Sequence, residues 1–248
     1  MAKRTILFRD LGTIEYAAAW KLQEDLLQKG VQEKARWQSA PADAREDAPQ
    51  TTDHLFFCEH PHVYTLGKSG DMGNLLADDA KMAEINASFY KTNRGGDITY
   101  HGPGQVVGYP VLDLEHFFTD LGLYMRNLEE VMIRTLERYG IEAGRLPGST
   151  GVWLDADVPA KARKICAMGV RCSRWITIHG FALNVNTQME YFGNIVPCGI
   201  ADKQVTSLEK ELGRQVDMHE VKEILKEEFG KIFLAEIVTE AAEPVANV

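Results

Sequence analysis

The stretch K-I-C-A-M-G-V-R-C-S-R-W-I-T-I-H-G-F-A-L-N-V, residues 164–185, decides the fold. Its two apolar runs, Lys164–Arg171 and Trp175–Val185, are typical of strands, and three residues (172–174) connect them. So short a connection favours an antiparallel hairpin over a crossover. We therefore expect a sheet that contains this hairpin.

Other segments predict further strands and helices. Strand-like runs lie at residues 6–8, 54–59, 63–66, 105–114 and 151–154. Apolar residues at helical spacing predict helices at 15–29, with Gly30 as the stop, and at 120–139. Capping-box patterns at 206–209 and 217–220 indicate two more. Because helices and strands do not alternate one by one, we expect an α+β fold, a mixed, largely antiparallel sheet flanked by helices, rather than a doubly wound one.

The length of 248 residues suits one large domain, which we predict over residues 1–234. Residues 32–53 contain two prolines, many charges and almost no large apolar side chains. This composition predicts a mobile surface insertion. Residues 235–248 are expected to form a loose C-terminal tail.

Composition limits the partners and the compartment. The net charge of −9 argues against nucleic-acid binding, which needs basic patches. No run of about 18 apolar residues predicts a membrane span, and the apolar run 6–8 is too short for a signal peptide. We expect a cytoplasmic protein whose four cysteines are free thiols.

The glycine-rich segment R-G-G-D-I-T-Y-H-G-P-G-Q, residues 94–105, is a candidate ligand loop. Its four glycines allow positive φ angles and close backbone approach, and Arg94 and His101 add polar groups. On these grounds alone, a ligand pocket and a tight structural turn both remain open.

Lys164 and Cys198 could form a reactive pair. A lysine can lower the pKa of a nearby thiol or take its proton, and the thiolate attacks acyl groups. Cys198 lies in the turn V-P-C-G-I, whereas the other cysteines lie in strand runs, where cysteine usually packs as a small hydrophobe. Spacing alone leaves Lys164 as either a solvent-exposed strand residue or a buried base, and Cys198 as either a turn residue or a nucleophile.

Two other patterns favour structural readings. His54, Cys58, His60 and His62 resemble a zinc cluster, but no second Cys/His pair follows at a suitable spacing, so we predict no metal site. Gly67-Lys68-Ser69 lacks the earlier glycine of a phosphate-binding loop, because that position is His62.

Several motifs, in order along the chain, resemble the lipoyl(octanoyl) transferase family. They are E-H-P-H-V-Y-T-L-G (59–67), R-G-G-D-I-T-Y-H-G-P-G-Q (94–105), K-I-C-A-M-G-V-R (164–171), H-G-F-A-L-N-V (179–185), P-C-G-I (197–200) and V-T-S-L (205–208). The resemblance covers roughly residues 55–233. Residues 32–53 and 155–163 are longer than the family leads us to expect.

The resemblance implies a fold similar to that of the lipoate- and biotin-protein ligase catalytic domain, so that 1–234 would be a single catalytic domain. It implies octanoyl transfer in lipoate biosynthesis, from octanoyl-acyl carrier protein through a cysteine thioester to a lysine, without a cofactor. The acceptors would be lipoyl domains of 2-oxoacid dehydrogenases and the glycine cleavage H protein.

The same resemblance implies roles for individual residues. Cys198 would be the acyl-accepting cysteine and Lys164 the activating lysine. The expected substrate-binding residues lie in three segments: Arg94, Gly95, Gly96, Asp97, Ile98, Thr99, Tyr100 and His101; Ala167, Met168 and Gly169; and Gly180, Phe181 and Ala182.

Two other functions remain as alternatives. One is an ATP-dependent lipoate- or biotin-protein ligase, which needs no cysteine nucleophile. The other is a non-catalytic module that binds acyl groups or their carrier. Cys198 and the form of the glycine loop favour the transferase.

Overall fold

The computed structural model describes residues 3–41, 51–158, 160–196 and 204–240. These residues form a large sheet, a small sheet and flanking helices. The strands are β1 (Arg4–Thr13), β2 (Asp53–Glu59), β3 (Val63–Leu66), β4 (Ser88–Lys91), β5 (Ile98–His101), β6 (Gln105–Val111), β7 (Val152–Leu154), β8 (Arg163–Ser173), β9 (Ile176–Asn184), β10 (Gln204–Val205) and β11 (Ala235–Thr239).

The large sheet has the strand order β10-β8-β9-β6-β2-β1-β11, and β7 pairs with β8 beside this path. The pairs β8/β9, β9/β6, β6/β2 and β7/β8 are antiparallel, whereas β10/β8, β2/β1 and β1/β11 are parallel. The small sheet has the order β4-β3-β5. The predicted α+β fold with a mixed, largely antiparallel sheet is therefore confirmed.

Helices cover both faces of the large sheet. The α-helices of the described residues are α1 (Tyr16–Ser39), α2 (Asp79–Glu84), α3 (Leu121–Glu137), α4 (Leu208–Leu212) and α5 (Met218–Ile232), of which α2 packs against the small sheet. Side chains from α1 pack with β6 and β9, whereas α3 and α5 pack together in a second apolar cluster that contains Phe57, Cys166 and Phe181. The N-terminus of α3 is capped by Asp120, whose carboxylate accepts from the backbone N–H of Leu123 at 2.9 Å.

The hairpin predicted from residues 164–185 is the centre of this arrangement. β8 and β9 pair over eight residues, with Gly169 opposite Gly180 and Ala167 opposite Ala182. The connection is two residues, Arg174 and Trp175, one fewer than predicted, and both have positive φ angles of 51° and 66°. Two positive φ angles are typical of the type I′ turn, whose twist matches that of paired strands.

The first helix is longer than the sequence suggested. α1 passes through Gly30 and ends at Ser39, before Ala40 and Pro41, so residues 32–39 are helix rather than part of an insertion. Gly30 is not a helix stop. A Cβ there would lie 2.6 Å from Cδ1 of Ile176, so the glycine lets α1 pack closely on β9. The rest of the predicted insertion lies partly outside the described residues, at 42–50.

The predicted loose tail is wrong for its first five residues. Ala235–Thr239 form β11, which pairs in parallel with residues 4–8 of β1, and Ala235 is buried. Parallel pairing with a strand more than 200 positions earlier leaves no signal in the local sequence. Residues 241–248 lie outside the described part of the chain, and the domain boundary itself stays a prediction.

Truncation tests the contribution of β11. A chain ending at Leu234 loses five backbone pairings and the buried Ala235, so we expect the free energy of unfolding to fall by about 2–4 kcal/mol in urea titrations. A chain ending at Glu240 keeps β11 and serves as the control. Equal stability of the two truncated chains would contradict a structural role for β11.

Candidate functional site

A cavity of about 510 Å³ lies against the hairpin. Its wall is formed by the 94–99 loop, by β8 and β9, by Tyr16 at the start of α1 and by Val205 of β10. The volume falls in the range of small-molecule pockets. The cavity therefore unites segments that are more than 180 positions apart in the chain.

Most of the sequence-predicted site residues line this cavity. They are Arg94, Gly95, Gly96, Asp97, Ile98, Thr99, His101, Lys164, Ala167, Met168, Gly169, Gly180, Phe181 and Ala182. Tyr100 lies elsewhere, because its fully buried ring packs against Tyr191 and Phe192 and its hydroxyl is 2.7 Å from Nδ1 of His62. The structure thus brings three of the predicted segments together and leaves Tyr100 in the core of the small sheet.

Glycines allow the loop to approach the hairpin. The backbone N–H of Gly95 donates to the carbonyl of Val170 at 2.9 Å. A Cβ at Gly169 would lie 2.6 Å from the carbonyl oxygen of Gly95, and a Cβ at Gly180 would clash with the carbonyl of Gly108. Real Cβ atoms do not approach backbone oxygen so closely, so these positions need glycine for packing.

Polar contacts hold the loop in shape. The Arg94 guanidinium is buried and donates from Nη2 to the carbonyl and hydroxyl oxygens of Thr65, at 2.7 and 2.9 Å. The Asp97 carboxylate accepts from the side-chain amide of Asn74 at 2.6 Å and from the backbone N–H of Ile98 at 2.7 Å. Both side chains therefore help to fix the loop that borders the cavity.

His101 faces the cavity as a neutral imidazole. Gln105 donates its amide to the backbone carbonyl of Tyr100 and to Asn184, so its oxygen accepts from Nδ1 of His101 at 2.8 Å. Burial lowers the pKa of His101 to about 3. At neutral pH this histidine therefore adds hydrogen-bonding groups to the wall and no charge.

His179 is a second neutral imidazole in the wall. It has a positive φ of 59°, and its Nε2 donates at 2.8 Å to the oxygen of Asn93, whose amide donates to Glu24. Burial, with a smaller contribution from the Arg94 charge, lowers the pKa of His179 to about 3. The structure makes His179 a buried part of the cavity wall.

The cavity also includes residues that sequence reasoning missed, among them Tyr16, Tyr109, Phe192 and Val205. Burial raises the pKa of Tyr16 to about 12, so its hydroxyl stays protonated at neutral pH. Tyr109 lies on the strand that follows the glycine loop, so its position next to that motif was a usable signal. Tyr16 lies far from every motif, and nothing local singled it out.

Lys164 is held between two strands at the edge of the cavity. It pairs with Trp153 of β7 on one side and with Val205 of β10 on the other, and its carbonyl accepts from the N–H of Thr206 at 2.9 Å. Its half-buried side chain places Nζ 4.6 Å from the centre of the Trp153 ring.

Cys198 lies outside the described residues, so its distance to Lys164 stays a prediction. The described chain before and after it approaches the same cavity. Phe192 and Val205 both line it, and the N–H of Val196 donates to the carbonyl of Asn74 at 2.8 Å.

Two of the histidines considered as zinc ligands, His60 and His62, have hydrogen-bond partners within the protein. Nδ1 of His60 donates to the carbonyl of Ile14 at 2.7 Å, and Nε2 accepts from the Tyr109 hydroxyl at 2.7 Å. Burial lowers the pKa of His60 to about 4. Within the ranges that the structure describes, no group of three or more His, Cys, Asp or Glu side chains could hold a metal ion. None of the described helices is both long and apolar enough to cross a membrane.

A family model described as the lipoyl protein ligase A/B catalytic domain matches residues 15–230. The chain belongs to this family. An octanoyltransferase of Flavobacterium johnsoniae is 56% identical over 238 residues, covering 95% of this chain and 99% of the relative. An octanoyltransferase of Cytophaga hutchinsonii is 52% identical over 230 residues, covering 93% of each chain.

Solved structures support the family's fold. Ta0514 of T. acidophilum, a putative lipoate protein ligase with bound lipoic acid, has a TM-score of 0.65 and 15% identity, covering 99% of this chain and 91% of that one. A lipoate-protein ligase A bound with ATP has a TM-score of 0.64 at 15% identity, with the same coverage. At this identity the likeness concerns the fold alone.

Substitution of Gly169 tests the contact between loop and hairpin. In Gly169→Val the side chain meets the Gly95 carbonyl and must push the loop from β8. We expect amide hydrogen exchange at Gly95 to accelerate at least tenfold, since its N–H loses the Val170 acceptor. Gly144→Ala, where a Cβ meets nothing within 4 Å, is the control. Unchanged exchange at Gly95 in Gly169→Val would refute this account of the loop.

The buried histidines predict a pH dependence of stability. His101 and His179 have folded-state pKa values of about 3, whereas an unfolded histidine titrates near 6.5. Between these values the unfolded chain binds more protons, so the free energy of unfolding falls as pH falls from about 6.5 to 3.

Each such histidine contributes up to about 1.4 kcal/mol per pH unit in this window. His101→Gln should reduce the slope by about that amount in urea titrations between pH 6 and 4. Measurements above pH 7, where both imidazoles are neutral in both states, give the reference. An unaltered slope would contradict the burial of a neutral His101.

Proposed function

We propose that this protein is an octanoyltransferase of lipoate biosynthesis. It moves an octanoyl group from octanoyl-acyl carrier protein to a lysine of a lipoyl domain, in 2-oxoacid dehydrogenases or in the glycine cleavage H protein. The observation that carries the proposal is the 56% identity to an octanoyltransferase over nearly the full length of both chains. The cavity beside Lys164 supplies a place for the acyl chain.

The walls of the cavity suit an unbranched acyl chain. Ala167 and Ala182 contribute only small side chains to the wall, while Met168 and Phe181 add larger apolar ones. Each methylene removed from water contributes about 0.8 kcal/mol. Neutral His101 and His179 avoid burying a charge beside this chain.

The proposed chemistry has two acyl transfers. In the first, the sulfur of Cys198 attacks the thioester carbonyl of the donor, a new C–S bond forms, and the carrier's thiol leaves with the proton that Cys198 gives up. In the second, the neutral amine of the acceptor lysine attacks the enzyme thioester, an amide forms, and the Cys198 thiol is regenerated with the amine's proton. Amide formation from a thioester is downhill, so neither step needs ATP or a cofactor.

Lys164 activates Cys198 in this scheme, either as a cation that stabilises the thiolate or as a base that removes the proton. The other cysteines are poor nucleophiles. Burial raises the pKa of the Cys58 and Cys166 thiols and, to a lesser extent, that of Cys172. These free thiols also agree with a reducing compartment, and we place the reaction in the cytoplasm.

Mass spectrometry of the protein after incubation with octanoyl-acyl carrier protein tests the intermediate. The wild type and Cys172→Ala should gain one octanoyl group, released by hydroxylamine as expected for a thioester, and Cys198→Ala should gain none. Lys164→Ala should slow adduct formation by about 10²–10⁴-fold, the range for loss of a general acid or base. An adduct that survives in Cys198→Ala would remove Cys198 from the mechanism.

The same preparation distinguishes the ligase alternative. Free octanoate or lipoate with ATP should give no modified lipoyl domain, whereas octanoyl-acyl carrier protein alone should give it. Modification that depends on ATP would replace the transferase by a ligase.

A further inference from the structure

Trp153 and Lys164 form a cross-strand pair beside the cavity. The two residues are partners in the antiparallel ladder of β7 and β8, and Nζ of Lys164 lies 4.6 Å from the centre of the indole ring. A cation within about 6 Å of an aromatic centroid is attracted to the negative face of the ring, and tryptophan gives the strongest attraction. The contact therefore acts directly on the end of the lysine side chain.

The ring itself is firmly placed. Trp153 is 2% exposed. Its backbone N–H donates to the carbonyl of Gly144 at 2.9 Å, and its carbonyl accepts from the N–H of Gly144 at 2.8 Å. The backbone of Lys164 is held by strands on both sides. The one flexible part of the pair is thus the four-carbon stem of the lysine, which carries about 2 kcal/mol of rotamer entropy.

Packing alone does not account for tryptophan at this position. Its indole N–H is buried and makes no hydrogen bond to any residue that the structure describes. A buried donor without a partner costs about 1–3 kcal/mol, which a phenylalanine or leucine would avoid. What tryptophan offers here is a large electron-rich face, and that face is where Lys164 lies.

We propose that Trp153 is a positioning residue, which holds the Lys164 ammonium at the edge of the cavity through its indole face. This inference rests on the proposed function, in which Lys164 activates the nucleophile. The attraction acts on an ammonium and not on a neutral amine, so the contact matches the route in which Lys164 works as a cation.

Three variants separate the aromatic face from simple packing. Trp153→Phe and Trp153→Tyr keep a ring, whereas Trp153→Leu keeps only apolar volume. Loss of the ring should lower the single-turnover rate of octanoyl-enzyme formation roughly tenfold, with the half-saturating donor concentration changed less than twofold. The Phe and Tyr variants should recover most of the rate. Equal losses in all three, or a loss in donor binding instead of rate, would overturn the proposal.

Fluorinated tryptophans provide a test that does not depend on the folding of Trp153→Leu. Fluorine withdraws electron density from the ring at almost constant size. In wild-type protein made with one, two or three fluorines per indole, the single-turnover rate of octanoyl-enzyme formation should therefore fall with each added fluorine. The chain has four tryptophans, so Trp153→Phe made with the same amino acids is the matched control and should show no such fall. Identical behaviour of the two proteins would refute the inference.

A spectroscopic signature reads the position of the lysine without any reaction. The ε-methylene protons of a lysine over an indole face are shifted upfield by the ring current, and Trp153→Phe should reduce this shift. A normal Lys164 signal in the wild type would overturn the positioning role even if octanoyl transfer is present. Absence of octanoyl transfer in a wild type with the shifted signal would instead refute the proposed function.

Discussion

The close contact between the glycine loop and the β8–β9 hairpin is the constraint on which the site depends. At Gly169 and Gly95 two backbones approach without an intervening side chain, and the N–H of Gly95 completes the contact by donating to Val170. The hairpin supplies the floor of the cavity and the loop supplies a wall. A side chain at this junction would separate the small sheet from the large one, and the cavity would lose its shape.

Burial also determines which side chains beside the cavity carry a charge. His101 and His179 line the cavity as neutral groups because burial makes their protonated forms unfavourable. Arg94 stays charged but donates to Thr65 and Gly95, so its guanidinium braces the loop. As cationic side chains of the lining, Arg94 and Lys164 therefore have different roles. Arg94 holds the backbone of the loop in place, whereas Lys164 lies over the Trp153 ring at the start of β8, where β10 pairs with it.

Local patterns predicted the parts of the fold that local physics decides. The hairpin followed from two apolar runs and a short connection, and α3 followed from its apolar stripe. Gly30 was misread because its role is a close contact with Ile176, which is a tertiary contact. β11 was missed because its partner, β1, lies at the other end of the chain. Neither feature has a signature within a window of ten or fifteen residues.

The cavity-lining residues that were predicted from sequence all lie in local motifs. The glycine loop and the hairpin motifs were found because their residues are contiguous, and the family resemblance supplied roles that spacing could not. Tyr100 was included with its neighbours because the resemblance implied a substrate-binding role for the whole segment from Arg94 to His101. In the structure it belongs to β5, and its ring packs against Tyr191 and Phe192, while Thr99 and His101 line the cavity.

The backbone of Lys164 is held by strand pairing on both sides of β8. Lys164, like Arg163 before it, lies where β8 has β7 on one side and β10 on the other. β10 begins six residues after Cys198, and its Val205 is the partner of Lys164 in the ladder. The strand pairing that fixes the lysine therefore also fixes the end of the segment that carries the proposed nucleophile.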